Sequence, residues 1–179
     1  MDFAELVRRR RSVRKYAARP VEKEKLDLCV EAARLAPSAC NGQPWKFIVV
    51  DEPAALARLS EAAFGGLYSM TAFAAKAPAL VAVVSEKSPL APAFGNLVQK
   101  TSFKLIDVGI AAEHFVLQAC DLGLGTCLIG WFDMKKAAAA LGVPESRKVE
   151  LLISVGYPAE EPGPRPRKEI SAMSSRNAY

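Results

Sequence analysis

The stretch Ser102-Phe-Lys-Leu-Ile-Asp-Val-Gly-Ile-Ala-Ala-Glu-His-Phe-Val-Leu-Gln-Ala-Cys-Asp-Leu122 is the longest part of the chain with a helical pattern. Its polar side chains share one arc of about 100° on a helical projection: Lys104, Asp107, His114, Gln118 and Asp121. Almost every other position is apolar, so the apolar surface is wider than a helix at a protein surface needs. The stretch therefore predicts a central helix, packed within its own chain or against a second one.

One acidic residue departs from this pattern. Glu113 projects into the apolar arc, opposite the polar side chains. A carboxylate in apolar surroundings costs several kcal/mol unless a cation pairs with it. We therefore expect Glu113 to be buried and to pair with an arginine of Arg8–Arg14, the basic stretch near the start of the chain.

That basic stretch, Arg8-Arg9-Arg10-Arg11-Ser12-Val13-Arg14, holds five arginines and one hydroxyl, and a helix capped by Asp2 is predicted to lead into it. The planar guanidinium donors of arginine fit a phosphate or a carboxylate. A second basic group, Arg165-Pro-Arg-Lys168, lies near the other end of the chain. The two groups form one anion site if they meet in space, and the alternative is a solvated basic face.

A turn-rich loop, Pro37-Ser-Ala-Cys-Asn-Gly-Gln-Pro-Trp45, carries the polar residues Ser38, Asn41 and Gln43. We call residues 37–43 the amide loop. Amide side chains donate and accept hydrogen bonds together, so they suit the edge of a heterocycle. The alternative interpretation is an ordinary turn, whose side chains bond to its own backbone.

Composition limits the classes of protein that fit. With 179 residues, 51% of them hydrophobic, the chain is long enough for one globular domain spanning residues 1–179. It has neither a secretory signal pattern nor an apolar run long enough to cross a bilayer, so we expect a cytoplasmic protein without a membrane partner. The formal charge is +5, but aromatic residues do not alternate with the basic ones, which disfavours nucleic-acid binding.

The cysteines and the single histidine disfavour two further classes of site. Cys29, Cys40, Cys120 and Cys127 include no C-x-x-C pair, and His114 is the only histidine, so no metal site is expected. The lone histidine also excludes most Ser-His and Cys-His hydrolase schemes. We predict that His114 is structural and that Cys29 and Cys120 pack as small apolar side chains.

The remaining patterns predict alternating helices and strands. Helices are expected over residues 22–36, 53–63, 68–76 and 133–141, and strands over 46–50, 78–85, 126–129 and 148–155. The run 78–85 is apolar throughout, which predicts a strand covered on both faces. Residues 86–101 show no clear pattern, and a Pro-rich tail runs from Gly156 to Tyr179.

Four of these motifs, in this order, resemble the FMN-dependent nitroreductase family. They are the Arg-Arg-Ser-Val-Arg-Lys-Tyr start, the amide loop, the Gly-Leu-Gly-Thr-Cys-Leu-Ile-Gly segment, and Gly-Tyr-Pro followed by Arg-Pro-Arg. The resemblance implies an α+β fold of the nitroreductase type, in which helices flank a central mixed β-sheet. It also implies an intertwined homodimer with FMN at the interface.

The resemblance assigns roles to three groups of residues. The FMN phosphate and ribityl chain would be held by Arg10, Arg11, Ser12 and Arg14, with Arg165 and Arg167 from the tail. The loop residues Pro37, Ser38, Ala39, Asn41 and Gln43 would reach the FMN of the other subunit. The backbone of Leu128, Ile129, Gly130 and Trp131 would lie near the reactive edge of the flavin ring, where no catalytic side chain is required.

The expected activity is a two-electron transfer from NADH or NADPH to nitroaromatics, quinones or similar acceptors, by a ping-pong mechanism. The alternatives are dehalogenation, flavin fragmentation or dehydrogenation on the same fold, a non-catalytic FMN-binding redox sensor, and a basic nucleic-acid binder. Many family members carry a small residue in place of Trp131 and an acidic one in place of Gly130. The chain also has a short 64–101 region, where Phe64 or Tyr68 is a candidate cover for the ring but core packing is favoured.

Overall fold

The computed structural model describes residues 1–87 and 101–179. Its sheet has four strands in the order β1-β2-β4-β3: β1 Trp45–Val50, β2 Ala79–Ser85, β3 Gly125–Ile129 and β4 Lys148–Gly156. The α-helices are α1 Phe3–Arg9, α2 Lys23–Arg34, α3 Pro53–Phe64, α4 Phe103–Asp121 and α5 Met134–Ala140. Shorter 3₁₀ segments cover Ala39–Asn41, Gly66–Lys76 and Ile170–Ala172.

Strand β2 is the centre of the molecule, and all seven of its residues are buried, as its apolar run predicts. Its side chains alternate between two apolar clusters. Ala79, Val81 and Val83 pack with α2 and α4 on one face of the sheet. Leu80, Ala82 and Val84 pack with α3 and α5 on the other. The fold therefore has three layers, with helices on both faces of the sheet.

The prediction of a mixed sheet is wrong for these four strands. β1 pairs with β2, β2 with β4, and β3 with β4, all antiparallel. Parallel pairing among the described residues is limited to one isolated bridge, between Ser12 and Thr126. Strand β2 is antiparallel to β1, so it must begin at the end of the sheet where β1 finishes. The connection through α3 and the Gly66–Lys76 segment returns the chain to that end.

Helix α4 confirms the prediction of a central helix. One side of it is buried against α2 and the sheet: Val108, Ala111, Ala112, Phe115, Val116 and Ala119. It ends in a Schellman motif at Gly123, whose φ of 78° favours glycine. The N–H of Leu124 donates to the carbonyl of Ala119 at 2.8 Å. Leu105 and Ile106 remain about half exposed, so residues 1–87 and 101–179 of one chain do not cover all of the apolar surface of this helix.

Gly125, at the start of β3, allows the basic stretch to lie directly beside the sheet. A Cβ at this position would lie 2.7 Å from Cγ2 of Val13, closer than side chains approach one another. The N–H of Val13 donates to the carbonyl of Thr126 at 2.9 Å. The residues that follow α1 therefore run along β3.

Most of the unpatterned 86–101 stretch lies outside the described residues, and so do some of the residues 64–101 that the sequence leaves without a role. In the described ranges, 1–87 and 101–179, none of the helices combines the length and apolar content that a bilayer crossing needs.

Candidate functional site

The two basic groups meet at one open pocket of about 400 Å³. Its lining residues come from both ends of the chain: Arg10, Arg11, Ser12, Arg14, Pro162, Gly163, Pro164, Arg165, Pro166 and Arg167. We call it the arginine pocket. The structure therefore brings the two basic groups together, which is the condition that a single anion site requires.

Helix α1 delivers the first basic group. The Asp2 carboxylate accepts from the N–H of Glu5 at 2.9 Å and caps the helix, as predicted. The helix ends at Arg9, and the chain then extends along β3 to the bridge between Ser12 and Thr126. The arginines therefore lie at the junction between α1 and the segment that runs along β3.

Arg165 holds the tail against the end of this helix. Its guanidinium donates to the carbonyl oxygens of Val7 at 2.9 Å and Arg10 at 3.1 Å. Carbonyls in the last turn of a helix lack partners within the helix, so these bonds supply a C-terminal cap. Desolvation and the positive charges of Arg167, Arg10 and Arg11 lower the pKa of Arg165. The same charges create a strongly positive potential that favours an anion.

The predicted partner of Glu113 is confirmed. Oε1 of Glu113 lies 3.9 Å from Nε of Arg10. Its predicted burial is wrong, because 46% of the side chain is exposed on the part of α4 that this chain leaves uncovered. An ion pair with this exposure contributes at most about 1 kcal/mol, so its main effect is to orient Arg10.

Ser12 and Arg14 line the pocket beside Phe73 and Cys127. The guanidinium of Arg14 lies over the Phe73 ring, 5.8 Å from its centroid. Burial raises the pKa of the neighbouring Cys127 thiol, although Arg14 and a hydrogen bond with Ser12 act in the opposite direction. The thiol is therefore kept protonated and is a poor nucleophile.

The end of β3 leads from the arginine pocket to an exposed edge. Leu128 is 42% and Trp131 56% exposed, Gly130 between them is exposed too, and Ile129 is buried. The indole N–H of Trp131 donates to the carbonyl of Leu67 at 3.1 Å. The hydroxyl of Thr71 donates to the carbonyl of Trp131 at 2.7 Å. These bonds fix the Gly66–Lys76 segment beside the end of β3.

The two aromatic candidates near this edge differ in their surroundings. Phe64 is buried in the cluster between α3 and the sheet, so core packing is its role. The Tyr68 ring contacts the Trp131 ring at a centroid distance of 5.3 Å, with 53° between the planes. Tyr68 therefore lies at the exposed edge, where it supports Trp131.

The amide loop has an unusual backbone. Cys40, Asn41 and Gln43 have φ values of 51°, 53° and 45°, a left-handed region that residues with side chains rarely adopt. Within the loop, the N–H of Gln43 donates to Oγ of Ser38 at 3.0 Å, and Nε2 of Gln43 donates to the carbonyl of Asn41 at 3.1 Å. The side chains of Ser38 and Gln43 therefore bond to the loop's own backbone.

The amide loop packs against α4 and lies apart from the arginine pocket. Oδ1 of Asp107 accepts from the N–H of Ala39 at 3.1 Å. None of the loop residues is among those that line the arginine pocket. Within the described part of one chain, the structure thus unites Arg10, Arg11, Ser12, Arg14, Arg165 and Arg167, but it does not bring the loop residues to them.

Sequence reasoning missed three residues of this region: Asp107, Thr71 and Leu67. Asp107 belongs to the polar arc of α4, which predicts exposure, yet only 5% of it is exposed. Thr71 and Leu67 act through single hydrogen bonds to Trp131, which leave no periodic signal. His114 lies elsewhere, with Nδ1 3.3 Å from the carbonyl oxygen of Ala32 in α2, as expected of a structural histidine.

Comparisons with known proteins agree with this geometry. The sequence profile described as the Nitroreductase family matches residues 7–157. The solved structure of an FMN-dependent nitroreductase from Clostridium difficile has a TM-score of 0.74 and 32% identity, with 99% of this chain and 98% of that one covered. An NADH dehydrogenase from Thermus thermophilus is 30% identical, over 97% of this chain and 95% of that protein. An iodotyrosine deiodinase from Thermotoga neapolitana is 26% identical, over 93% and 94% respectively. The chain belongs to the nitroreductase family.

Proposed function

We propose that this protein is an FMN-dependent oxidoreductase that passes two electrons from NADH or NADPH to electron-poor organic acceptors, such as nitroaromatics or quinones, by a ping-pong mechanism. The observation that carries the proposal is the arginine pocket, which gathers basic side chains from both ends of the chain beside β3. A second support is the set of relatives, whose names include an FMN-dependent nitroreductase and an NADH dehydrogenase.

The residues of the arginine pocket fit the phosphate end of FMN. Arg10, Arg11, Arg14 and Arg167 offer guanidinium donors, and Ser12 adds a hydroxyl. Arg165 has two donors engaged with the carbonyls of α1, so its main role is to hold the tail in place. The phosphate would therefore be bound by residues from both termini, on a backbone fixed by β3.

The edge beyond β3 fits a planar ring. Gly130 is exposed, and a Cβ built on it meets no atom within 4 Å, so there is open space beside the backbone. When bound, FMN supplies the hydride and two-electron chemistry that protein side chains lack. The tasks left to Leu128, Gly130 and Trp131 are to orient the ring and to shape the face on which donor and acceptor bind in turn.

The rest of the site would come from a second copy of the chain. The amide loop, with Pro37, Ser38, Ala39, Asn41 and Gln43, would contact the FMN held by the other subunit. Two surfaces support a homodimer: the half-exposed Leu105 and Ile106 on α4, and the exposed Ile170 and Met173 in the tail. Apolar side chains of this size are costly to leave in water, and a partner chain would cover them.

The test is an absorbance spectrum of the purified protein under anaerobic conditions. Flavin bands that bleach with NADH or NADPH, and return when a nitroaromatic or quinone is added, are the expected result. Flavin bands that neither nicotinamide bleaches would point instead to an FMN-binding sensor. A protein that binds no flavin, even after FMN is added, would refute the proposal.

A second candidate reaction is reductive dehalogenation, which the deiodinase relative favours. The same reduced protein would then release halide from a halogenated phenol, one halide per two electrons. Acceptor profiling distinguishes the two candidates. The oxidoreductase proposal expects faster reoxidation by nitroaromatics or quinones than by halogenated phenols, and the reverse order would favour dehalogenation.

A further inference from the structure

We infer that Asp107 is a positioning residue, whose carboxylate holds the amide loop in the conformation that contacts FMN. The inference rests on the proposed function, because it needs FMN as the ligand of the loop. It adds a residue that acts through another group and does not touch the cofactor itself.

The surroundings of Asp107 are those of a buried anchor. The residue lies in the second turn of α4 and is 5% exposed. Its Oδ1 accepts from the N–H of Ala39 at 3.1 Å. No ion pair to Asp107 forms within residues 1–87 and 101–179. A buried carboxylate is costly without partners, so this bond to the loop is a large part of what makes its position tolerable.

The loop needs such an anchor because its backbone is strained. Cys40, Asn41 and Gln43 all have left-handed φ values, and none of them is glycine. A non-glycine residue keeps this conformation only where the surrounding contacts impose it. The bonds from Gln43 to Ser38 and to Asn41 are internal to the loop. The N–H of Trp45 in β1 donates to the carbonyl of Gln43 at 2.8 Å and fixes the end of the loop, whereas Asp107 fixes its middle to α4.

Helix α4 also connects the anchor to the arginine pocket. Asp107 holds the loop that a chain would lend to its partner, and Glu113, on the same helix, contacts Arg10 of the pocket that the chain keeps. A helix is stiff, so both halves of the proposed interface site take their positions from one element. The loop would therefore reach the partner's FMN with little ordering left to do on binding.

The test is to titrate the apoprotein with FMN and to monitor binding by the quenching of flavin fluorescence. Four variants are compared with the parent chain. Asp107→Leu removes the acceptor, whereas Asp107→Asn keeps an oxygen that can accept from Ala39. Glu52→Leu is the matched control, because Glu52 accepts from the N–H groups of Ala54 and Ala55 at 3.1 and 2.8 Å, at the start of α3. Serine is smaller than leucine and too short to reach the loop, so Asp107→Ser takes the place of Asp107→Leu if that variant does not fold.

We expect Asp107→Leu or Asp107→Ser to weaken FMN binding about tenfold or more, because a hydrogen bond to a charged group is lost. Asp107→Asn should stay within about threefold of the parent chain. Glu52→Leu should lower the Tm of the apoprotein and leave FMN affinity unchanged. A carboxylate with a merely structural role, such as that of Glu52, would affect the Tm and not the FMN affinity, so the two measurements distinguish the two roles.

Two results would overturn the inference in different ways. If the parent chain binds no FMN, the proposed function fails and the inference fails with it. If the parent chain binds FMN, and Asp107→Leu and Asp107→Ser bind it equally well or lose no more than Glu52→Leu, then Asp107 does not position the loop and the proposed function stands.

Discussion

The arginine pocket and the amide loop are built in opposite ways. The pocket joins residues from both ends of the chain, and its tail is held by bonds between Arg165 and the end of α1. The loop is local, with internal bonds, three left-handed residues, a backbone bond to the start of β1 and a side-chain anchor on Asp107. One chain supplies every residue that lines the pocket. The loop of the same chain contributes no residue to that pocket.

In the proposed dimer, this difference shows how a site shared between two chains would divide its tasks. Charge is concentrated by long-range folding, which needs the whole chain but only one copy of it. In the proposed dimer, shape would be supplied by a short loop with a strained backbone, which forms locally but would need a second copy of the chain to contact FMN. Perturbing each region separately should therefore give different results, and four experiments compare them.

The largest effect is expected when damaged chains are mixed. One chain carries Arg11→Ala and Arg14→Ala, and the other carries Asn41→Gly and Gln43→Gly, where glycine suits the left-handed backbone. Neither homodimer should retain FMN. In a mixed dimer one site contains both intact halves, so random mixing should restore FMN to about a quarter of all sites.

The measurement is bound flavin absorbance per chain after co-expression and desalting. Two different affinity tags separate the mixed dimers, and the parent chain processed in the same way is the control. Mixed dimers that hold no flavin would mean that pocket and loop of the same chain form one site, contrary to the division proposed above.

A smaller loss is expected from Arg165→Ala, which releases the tail from α1. The carbonyls of Val7 and Arg10 lose their partner, and Arg167 is no longer held at the pocket. FMN affinity should fall about tenfold or more, since bonds from a charged donor are lost. Fluorescence titration checks this. Lys168→Ala removes the same charge from the same segment, and an equal loss in that variant would show that charge alone matters.

The tail should also respond to acid. The Tyr157 hydroxyl donates to Glu22 at 2.6 Å where the tail leaves the sheet. This bond, with the backbone, Arg19 and Lys25, lowers the pKa of Glu22 from 4.5 to about 2. The carboxylate is thus favoured in the folded state, so its stabilising effect is present above pH 4.5 and disappears as the pH falls towards 2.

Thermal unfolding between pH 6 and pH 2 checks this expectation. The Tm of Glu22→Gln should fall less steeply below pH 4.5 than the Tm of the parent chain. Glu24→Gln, on the same helix, is the control and should follow the parent chain. If the Tm of Glu22→Gln and the Tm of the parent chain fall equally steeply in acid, the contact between Glu22 and Tyr157 does not have the expected role.

The smallest effect concerns the strain in the amide loop. Cys40→Gly removes the side chain from a residue with a φ of 51°, while it adds flexibility to the unfolded chain. The balance should be a gain of about 0.5 kcal/mol in the free energy of unfolding. Ala39→Gly, one residue earlier, should destabilise the protein instead. Urea denaturation measures both, and a loss in Cys40→Gly equal to that in Ala39→Gly would show that the loop is not strained.

The parts of the fold that follow from periodicity were predictable. The apolar run of β2, the wide apolar surface of α4 and the cap at Asp2 are properties of neighbouring residues, and the structure confirms them. The sequence identified both basic groups but left open whether they meet, because like charges repel and only the fold brings the two ends of the chain together. The arginine that contacts Glu113 was expected from the cost of a buried, unpaired carboxylate, but the Glu113 side chain is 46% exposed, so the partner was right and the reason was not.

Other features of the structure do not follow from the periodicity of the sequence. Strand direction depends on where each connection returns to the sheet, and the four described strands are all antiparallel where a mixed sheet was expected. Asp107 is buried and Glu113 is partly exposed, the reverse of what the helical projection predicts. The amide loop covers Asp107, whereas the described residues of this chain leave almost half of Glu113 uncovered. The bonds of Trp131 to Leu67 and Thr71 join segments about 60 residues apart through single donors.

The bonds from Arg165 to Arg10 and Val7 join residues 155 and 158 positions apart. Because synthesis proceeds from the N-terminus, the basic stretch leaves the ribosome long before the residue that completes its pocket. Strand β4 ends at Gly156, so a product terminated just after it would have the four described strands but would lack the tail residues that line the arginine pocket. Cofactor loading would then also report that translation had reached the tail.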